Sequence, residues 1–504
     1  MEILIKALQL LLSLSLLVVL HEFGHYFAAR YFKIRVEKFY LFFNPWFALF
    51  KKKIGDTEWG IGWLPLGGFV KISGMIDESM DKEQLAQPIQ PWEFRAKPAW
   101  QRLIVMIAGV VVNLIFGVLI YIGVVFTWGE EQIHTADLKD GLTVHPFMQQ
   151  YGIESGDNIL AIDGVDVTHI GDITAGLVIR GQQNLKVQKS DGTVENILLP
   201  DSVDYAIFEA GAFPTVELRH QSTKVEFLRA LTANDTIHVE AGDVFLSIND
   251  RPLNEINFNE LEGNFNLALV RGEDTLVEEI ASTNWNLLME VSPALAAGIL
   301  PGDKFSKINE EEIKYFDDIT DELFNSKEMP SVLLVQRGDT IKELKVDVPK
   351  SGSLGFTVRT VGYLDSAAFR HVDYSFGQSF GRGLDKGVTT LGDYVGQLKF
   401  LFTKKGASSI GGFAAIGNLF PAEWNWEKFW LNTAFISIIL AFMNILPIPA
   451  LDGGHVVFLL YEMVTGKEAP QKVLEYAQMV GFFILMGLLL YANGNDVYRM
   501  IFGG

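Results

Sequence analysis

Two histidines and a glutamate stand together at His21-Glu22-Phe23-Gly24-His25. On a helix, positions four apart share a face, so the two imidazoles lie one turn apart with the Glu22 carboxylate beside them. Those residue types at that spacing supply two zinc ligands and a general base that activates water. At ordinary residue frequencies the pattern arises by chance in about one chain in a hundred of this length. The bland alternative, three polar groups buried for structure alone, needs hydrogen-bonding partners that an apolar surrounding does not supply. The surrounding is apolar: the run from Ile3 to Leu20 carries a single charge, Lys6. A helix with both features brings a hydrolytic metal site to a bilayer, where ionisable residues are rare and usually functional.

Two histidines leave a tetrahedral metal short of a protein ligand. A second constellation, Asn444-Ile445-Leu446-Pro447-Ile448-Pro449-Ala450-Leu451-Asp452-Gly453-Gly454-His455, lies near the other end of the chain. Its prolines stop a helix, its glycine pair lets backbone approach closely, and Asp452 is the natural third ligand. Asp452 as the cap of the following helix is physically sound too, and both roles are compatible. The neighbouring His455 is a further ligand candidate that spacing alone does not remove.

Four spans must position these groups: Glu2 to Arg30, Gln101 to Trp128, about Lys428 to Leu446, and about Lys472 to Tyr491. The first is not expected to be a cleaved signal peptide, because it lacks a basic start and a small-x-small site and carries the metal motif. Between the first two spans, Arg30 to Arg102 holds about 12 Lys and Arg, including Lys51-Lys52-Lys53. That bias places the segment in the cytoplasm and both termini outside. Trp128, Trp424, Trp426 and Trp430 stand where interfacial anchors belong. Within the cytoplasmic segment, Trp59 to Ile72 reads as two short apolar runs joined through Pro and Gly, a hairpin. A hairpin beside a membrane site would offer an edge to an extended substrate; an ordinary interfacial hairpin is the alternative.

The long insert is acidic. Trp128 to Phe429 carries about 21 net negative charges, essentially all of the formal −20. No basic patch points to nucleic acid. The chain has no cysteine, which excludes a disulfide framework, thiolate ligands and a cysteine nucleophile. The insert contains an internal repeat: Ser155-Gly156-Asp157 through Asp163-Gly164 parallels Pro301-Gly302-Asp303 through Ile308-Asn309. A more divergent copy runs from Ala241-Gly242-Asp243 to Asn249-Asp250, with Val270 to Thr275 as its later turn. After the repeats, Tyr374 to Phe402 reads as one or two amphipathic helices lying on the outer membrane face. The small residues of Ser409 to Gly417 follow, and permit close packing.

These motifs together resemble the site-2 protease family, peptidase family M50, of the type that regulates sigma-E in bacteria. The repeats resemble permuted PDZ domains. The resemblance implies a polytopic α-helical membrane protein with four transmembrane helices, a cytoplasmic membrane-associated β-hairpin and inserted periplasmic α+β PDZ-like domains. It implies that His21, His25 and Asp452 bind Zn2+ and that Glu22 is the catalytic base. It places Asn444, Pro447, Pro449, Gly67 and Gly68 on the substrate-binding side. The organisation expected is a first span at 1–30, a cytoplasmic segment at 31–100 and a second span at 101–128. PDZ-like repeats follow at 129–213, 214–283 and 284–360, then amphipathic and Gly-rich segments at 361–427 and the last two spans at 428–504. Where the family commonly has a Gly-Pro pair before the third span, this chain reads Ser409-Ile410-Gly411-Gly412-Phe413.

The function expected is intramembrane zinc-dependent proteolysis of single-span membrane proteins, such as anti-sigma factors or signal-peptide remnants, in the cell inner membrane. The site would face the cytoplasm and the repeats the periplasm. The alternative is a non-catalytic PDZ-containing scaffold that recruits envelope proteins. Such a scaffold has no use for Glu22 or Asp452, and both are present.

Overall fold

Apolar length decides the first level of structure. The computed structural model describes residues 2–75, 87–221, 224–256, 263–272, 274–358 and 368–502. The elements that bear on the site are helix α1 (Glu2–Tyr31), strands β1 (Val36–Ile54) and β2 (Thr57–Ile72), and helix α2 (Ala99–Trp128). After the insert come helices α3 (Phe376–Leu401), α4 (Trp426–Ile445), α5 (Asp452–Thr465) and α6 (Gln471–Phe502). Among the described residues, α1, α2, α4 and α6 are long and apolar enough to cross a membrane. Residues 361–367 of the amphipathic segment, and Glu273 of the divergent repeat, lie outside the described residues. The chain divides into two compact units, 1–131 with 371–504, and 132–370.

In the first unit α1 and α2 touch backbone to backbone. A Cβ on Gly24 would come within 2.5 Å of the Ala108 carbonyl oxygen, so only glycine permits this approach. Further along α2, Gly117 faces Ile438 and Ala434 of α4, and Ser437 donates to the Asn113 carbonyl at 2.7 Å. Both ends of the chain meet in one apolar core, where Leu459 of α5 packs with Ala29, Ile34, Val36, Ile72, Val105 and Met106. Arg102 of α2 bridges to Glu462 and, at 3.3 Å, to Glu468, fixing the far end of α5. Small residues before α4 pack as their size allows, with the Asp496 carboxylate accepting from the N–H groups of Gly412, Ala414 and Ala415 at 2.9–3.2 Å.

Two sequence expectations need correction. Trp59 to Ile72 is not a hairpin in itself. Its turn lies earlier, at Gly55-Asp56, and β2 bends so that both its halves pair with β1. Lys38 to Leu41 sits between Glu58–Ile61 on one side and Gly68–Lys71 on the other. The Pro-Gly stretch therefore reverses the chain while carrying it across β1, so the two halves it joins flank that strand instead of pairing with each other. The amphipathic helix also departs from expectation. Instead of lying across the ends of the spans, α3 packs lengthwise along α2, with Gly383 against Ile122 and Gly387 against Val118. Glycine spacing makes a flat strip there, and Tyr394 stacks edge-on against Phe442 of α4. Glu130, just past α2, anchors the start of α3 through Arg382 at 2.8 Å and Lys386 at 2.7 Å.

Among the described residues, the second unit holds four antiparallel sheets, and the three larger ones are each built around the same turn. Asp157, Asp243 and Asp303 are all buried, and each accepts from the backbone N–H three residues before it at 2.8–2.9 Å. Each also holds a cation from a later hairpin, Lys189, Arg271 or Arg337, at 2.7 Å. Downstream, Asp163, Asn249 and Asn309 adopt left-handed backbone, and a side-chain oxygen of each accepts from the backbone N–H of Asn184, Asn266 or Val332 in a later strand of the same sheet. The three copies thus share one hydrogen-bond plan. The last two are interleaved: Phe356–Val358 pairs with Val225–Arg229 in the middle sheet, and one buried core runs from Val225 to Val358. A cut at 283/284 would divide that core. One stretch before the divergent copy serves two turns, Val225 donating to the Asp303 carbonyl and Ala230 to the Asp243 carbonyl.

Helix Phe316–Asn325 concentrates acid, and burial first, then Asp317 and Asp318, raise the Asp321 carboxyl to about 6. Unfolded, the group titrates near 3.8. The folded unit therefore binds the extra proton between those values, and the stability it contributes at low pH is lost as pH rises through 6. Asp321→Asn is expected to raise resistance to urea at pH 7.5 and leave it unchanged below pH 4. Unfolding of the full chain in detergent at the two pH values measures this.

Candidate metal centre

His21 and His25 lie on the inner face of α1, both buried. That face is shaped by α2, where a Cβ on Gly109 would fall 2.5 Å from His25 Nε2 and 2.7 Å from His21 Cε1. Only glycine there leaves room for both rings. The third group arrives from the opposite end of the chain. Pro447 and Pro449 end α4 and turn the backbone, Ala450 takes a positive φ of 76°, and α5 starts at Asp452. Gly453 and Gly454 pass so close to the carbonyls of Leu446 and Ile448 that no side chain fits. The Gln478 side chain of α6 accepts from the Ala450 N–H at 3.2 Å and braces the turn. A carboxylate in the first turn of a helix is also favoured by the helix dipole.

The result is a nearly equilateral triangle of donor atoms. His21 Nε2 and His25 Nε2 are 3.2 Å apart, and Asp452 Oδ2 lies 3.2 Å from the first and 3.3 Å from the second. Ligands bound tetrahedrally at 2.0–2.1 Å must stand ~3.3 Å from one another, so the triangle has the edge a zinc ion requires. Protons alone do not satisfy it. His25 Nδ1 is 2.8 Å from the Val105 carbonyl, which only accepts, so in the neutral ring Nε2 presents a lone pair. Asp452 Oδ2 is buried and makes no hydrogen bond despite its two neighbours. Two lone pairs, of His25 Nε2 and Asp452 Oδ2, thus point into the triangle beside His21 Nε2, and a cation there engages all three atoms.

Glu22, between the two histidines in sequence, faces the same cavity of about 550 Å³. Its carboxylate accepts from the backbone N–H of Val70. Gly68 to Ile72 of β2, Ala450 to Asp452, His455 and Gln478 also line that space. The structure therefore brings together His21, Glu22, His25, Asp452 and Gly68. His455 turns its ring towards Gln478, at 3.4 Å, and is not part of the triangle. Asn444, Pro447, Pro449 and Gly67 are not among the lining residues. Asn444 is on the last turn of α4, the prolines shape the approach to Asp452, and Gly67 makes the bend before Gly68.

One residue at the site escaped the sequence reading. Asn113 of α2 is fully buried, with its amide nitrogen 3.5 Å from His21 Nδ1 and its oxygen without a partner. Amide orientation is an assignment, and turning this one over points the oxygen at a His21 Nδ1–H. The available signal was an asparagine in an otherwise apolar span, where a polar group calls for a partner.

Comparison with known proteins bears on the same residues. The family model for peptidase family M50 matches residues 9–488. A protein of Vibrio cholerae named as a zinc metalloprotease is 26% identical over 515 residues, covering 99% of this chain and 100% of its own length. The regulator of sigma E protease of Haemophilus influenzae is 25% identical over 506 residues, covering 97% and 98%. Protease RseP of Yersinia pestis is 24% identical over 525 residues, covering 99% and 100%.

Proposed function

The chain belongs to peptidase family M50, a family of zinc metalloproteases, and on that premise we propose that it cleaves single-span membrane proteins within the bilayer. The observation that carries the reading is the donor triangle with Glu22 in the same cavity, its two histidines and Glu22 on a helix long enough to cross a membrane. His21, His25 and Asp452 hold the zinc. Bound there, the ion supplies Lewis acidity, which acidifies water and polarises a carbonyl. Glu22 takes the proton from the attacking water and returns it to the leaving amine. The Val70 N–H orients the Glu22 carboxylate for both transfers.

A membrane helix satisfies its own backbone hydrogen bonds, so a substrate must unwind before its peptide bond is reached. Gly68 to Ile72 lines the cavity and pairs on one side only, with β1, among the described residues. An unwound segment added to its other edge would lie beside Glu22. Asn444, one turn of chain before the prolines, holds the far side of that segment, and Pro447, Pro449 and Gly67 keep its track open. The three repeats are PDZ-like modules that limit access to substrates already trimmed outside the inner membrane. Anti-sigma factors and signal-peptide remnants fit this description, with the site towards the cytoplasm. Incubating the purified chain with a single-span reporter tests the reading. Cleavage inside the span, lost with a zinc chelator and restored by zinc, is expected; cleavage that survives chelation contradicts it.

The reversed Asn113 amide leads to a further expectation. A hydrogen bond to the outer nitrogen of a metal-bound histidine commonly strengthens affinity 10- to 100-fold. Asn113→Leu is expected to weaken zinc binding by about tenfold or more, and Asn113→Asp to preserve it, in competition titrations against a chromophoric chelator. Equal affinity for the two variants would show that Asn113 only fills space.

A further inference from the structure

Lys38 lines the metal cavity from β1, half-buried, and among the described residues has no acceptor for its ammonium group. Comparable lysines elsewhere are paired: Lys71 with Glu37, Lys189 with Asp157, Lys386 with Glu130. Glu58 stands directly across the strands from Lys38, yet it takes the Tyr40 hydroxyl at 2.7 Å instead. The other charges of the cavity are accounted for. Glu22 and Asp452 balance a divalent cation, and Lys71 is matched by Glu37 at 3.6 Å. Among the described residues, one positive charge is left facing the space that a substrate would fill. A half-buried, unpaired charge is unfavourable, and a site holding one selects a ligand that neutralises it.

The position of that charge along the substrate track follows from the strand. At Gly68 a side chain would meet Val18 and Glu22 of α1. Ile72, four residues on, packs with Ala29 at the end of α1. The edge strand thus runs from the level of Glu22 towards the Ala29 end, and Lys38 sits opposite Lys71, near that end. At ~3.4 Å per residue, a segment lying along this edge brings residues one to three positions from the scissile bond past Lys38.

We propose that Lys38 is a specificity-determining residue, which selects substrates with a carboxylate one to three residues from the cleaved bond on the side facing the Ala29 end of α1. The inference rests on the peptidase reading above. The carboxylate is either an aspartate or glutamate side chain, or the free C-terminus of a chain that stops there. Lys38 is assigned no part in holding zinc or in moving the proton. It acts on which segment stays in the cavity, so its effect falls on the ratio of kcat/KM between substrates.

The test uses the full chain in neutral-lipid nanodiscs and single-span reporters whose cleaved bond is mapped by mass spectrometry. Reporters carry Asp, Asn or Lys at each of the three positions, and a fourth ends there as a free acid or an amide. With the unaltered chain the Asp reporter is expected to exceed the Asn reporter about tenfold at one of these positions, an effect of the size of one charge-assisted hydrogen bond. Lys38→Met brings the ratio to about one, Lys38→Glu inverts it in favour of the Lys reporter, and Lys38→Arg keeps it. A preference confined to the free-acid reporter assigns the carboxylate to a chain end. An Asp-to-Asn ratio near one with the unaltered chain, in the side-chain and chain-end arms alike, overturns the proposal. So does a ratio unmoved by Lys38→Glu. If Lys38→Met changes rates only in anionic-lipid nanodiscs, whatever the reporter, Lys38 holds lipid phosphate and the proposal falls. Failure to cleave any reporter would instead defeat the peptidase reading.

Discussion

Glu22→Gln is expected to lower reporter cleavage by about 10³-fold while leaving zinc bound. The amide is nearly the shape of the carboxylate and still receives the Val70 N–H through its oxygen, so the cavity keeps its form. What disappears is a proton acceptor within reach of the attacking water. General-base catalysis by a positioned side chain is worth roughly 10²–10⁴ in rate. The loss should appear in kcat, with KM little changed, because the base acts in the transition state and not in binding. A variant that cleaves at the original rate would remove Glu22 from the chemistry. Zinc content measured on the same sample separates this outcome from simple loss of the metal.

Asp452→Ala is expected to remove the metal and the activity together. Without the carboxylate, two imidazole nitrogens 3.2 Å apart remain as the only ligands of the triangle. The adjacent His455 cannot replace it, because its ring is turned to Gln478. The loss of affinity should exceed the 10- to 100-fold typical of outer hydrogen-bonding groups. Asp452→Asn keeps the first turn of α5 and its glycine contacts but gives up the charge, so its affinity should fall between the two. Metal analysis after dialysis against a weak chelator ranks the three chains.

Much of this site was legible because its residues carry their own spacing. His21, Glu22 and His25 announce a shared helical face, and the prolines before Asp452 announce an interrupted helix. Four spans followed from apolar length alone. The contacts that join these pieces were not legible, because they depend on approach between distant segments. Gly109 and Gly24 look like any helix glycines until α1 and α2 are side by side. Pro65 and Gly67-Gly68 do reverse the chain, as turn residues should, but the two halves they join do not pair with each other, because Lys38–Leu41 lies between them and Gly55-Asp56 closes the β1–β2 turn. Amphipathicity in α3 was read as a membrane surface, but its glycine strip is a packing face for α2. Interleaving of the last two repeats could not be read from segments taken in order, since Phe356–Val358 completes a sheet begun at Val225.

X-ray absorption at the zinc edge of the purified chain addresses most directly whether the two ends of the chain build one metal site. One zinc per chain is expected, with two imidazoles and light oxygen ligands at about 2.0–2.1 Å. The same shell should persist in Glu22→Gln and vanish in Asp452→Ala. A shell with three imidazoles, or one that Asp452→Ala leaves unchanged, would contradict the assignment of His21, His25 and Asp452 to a common ion.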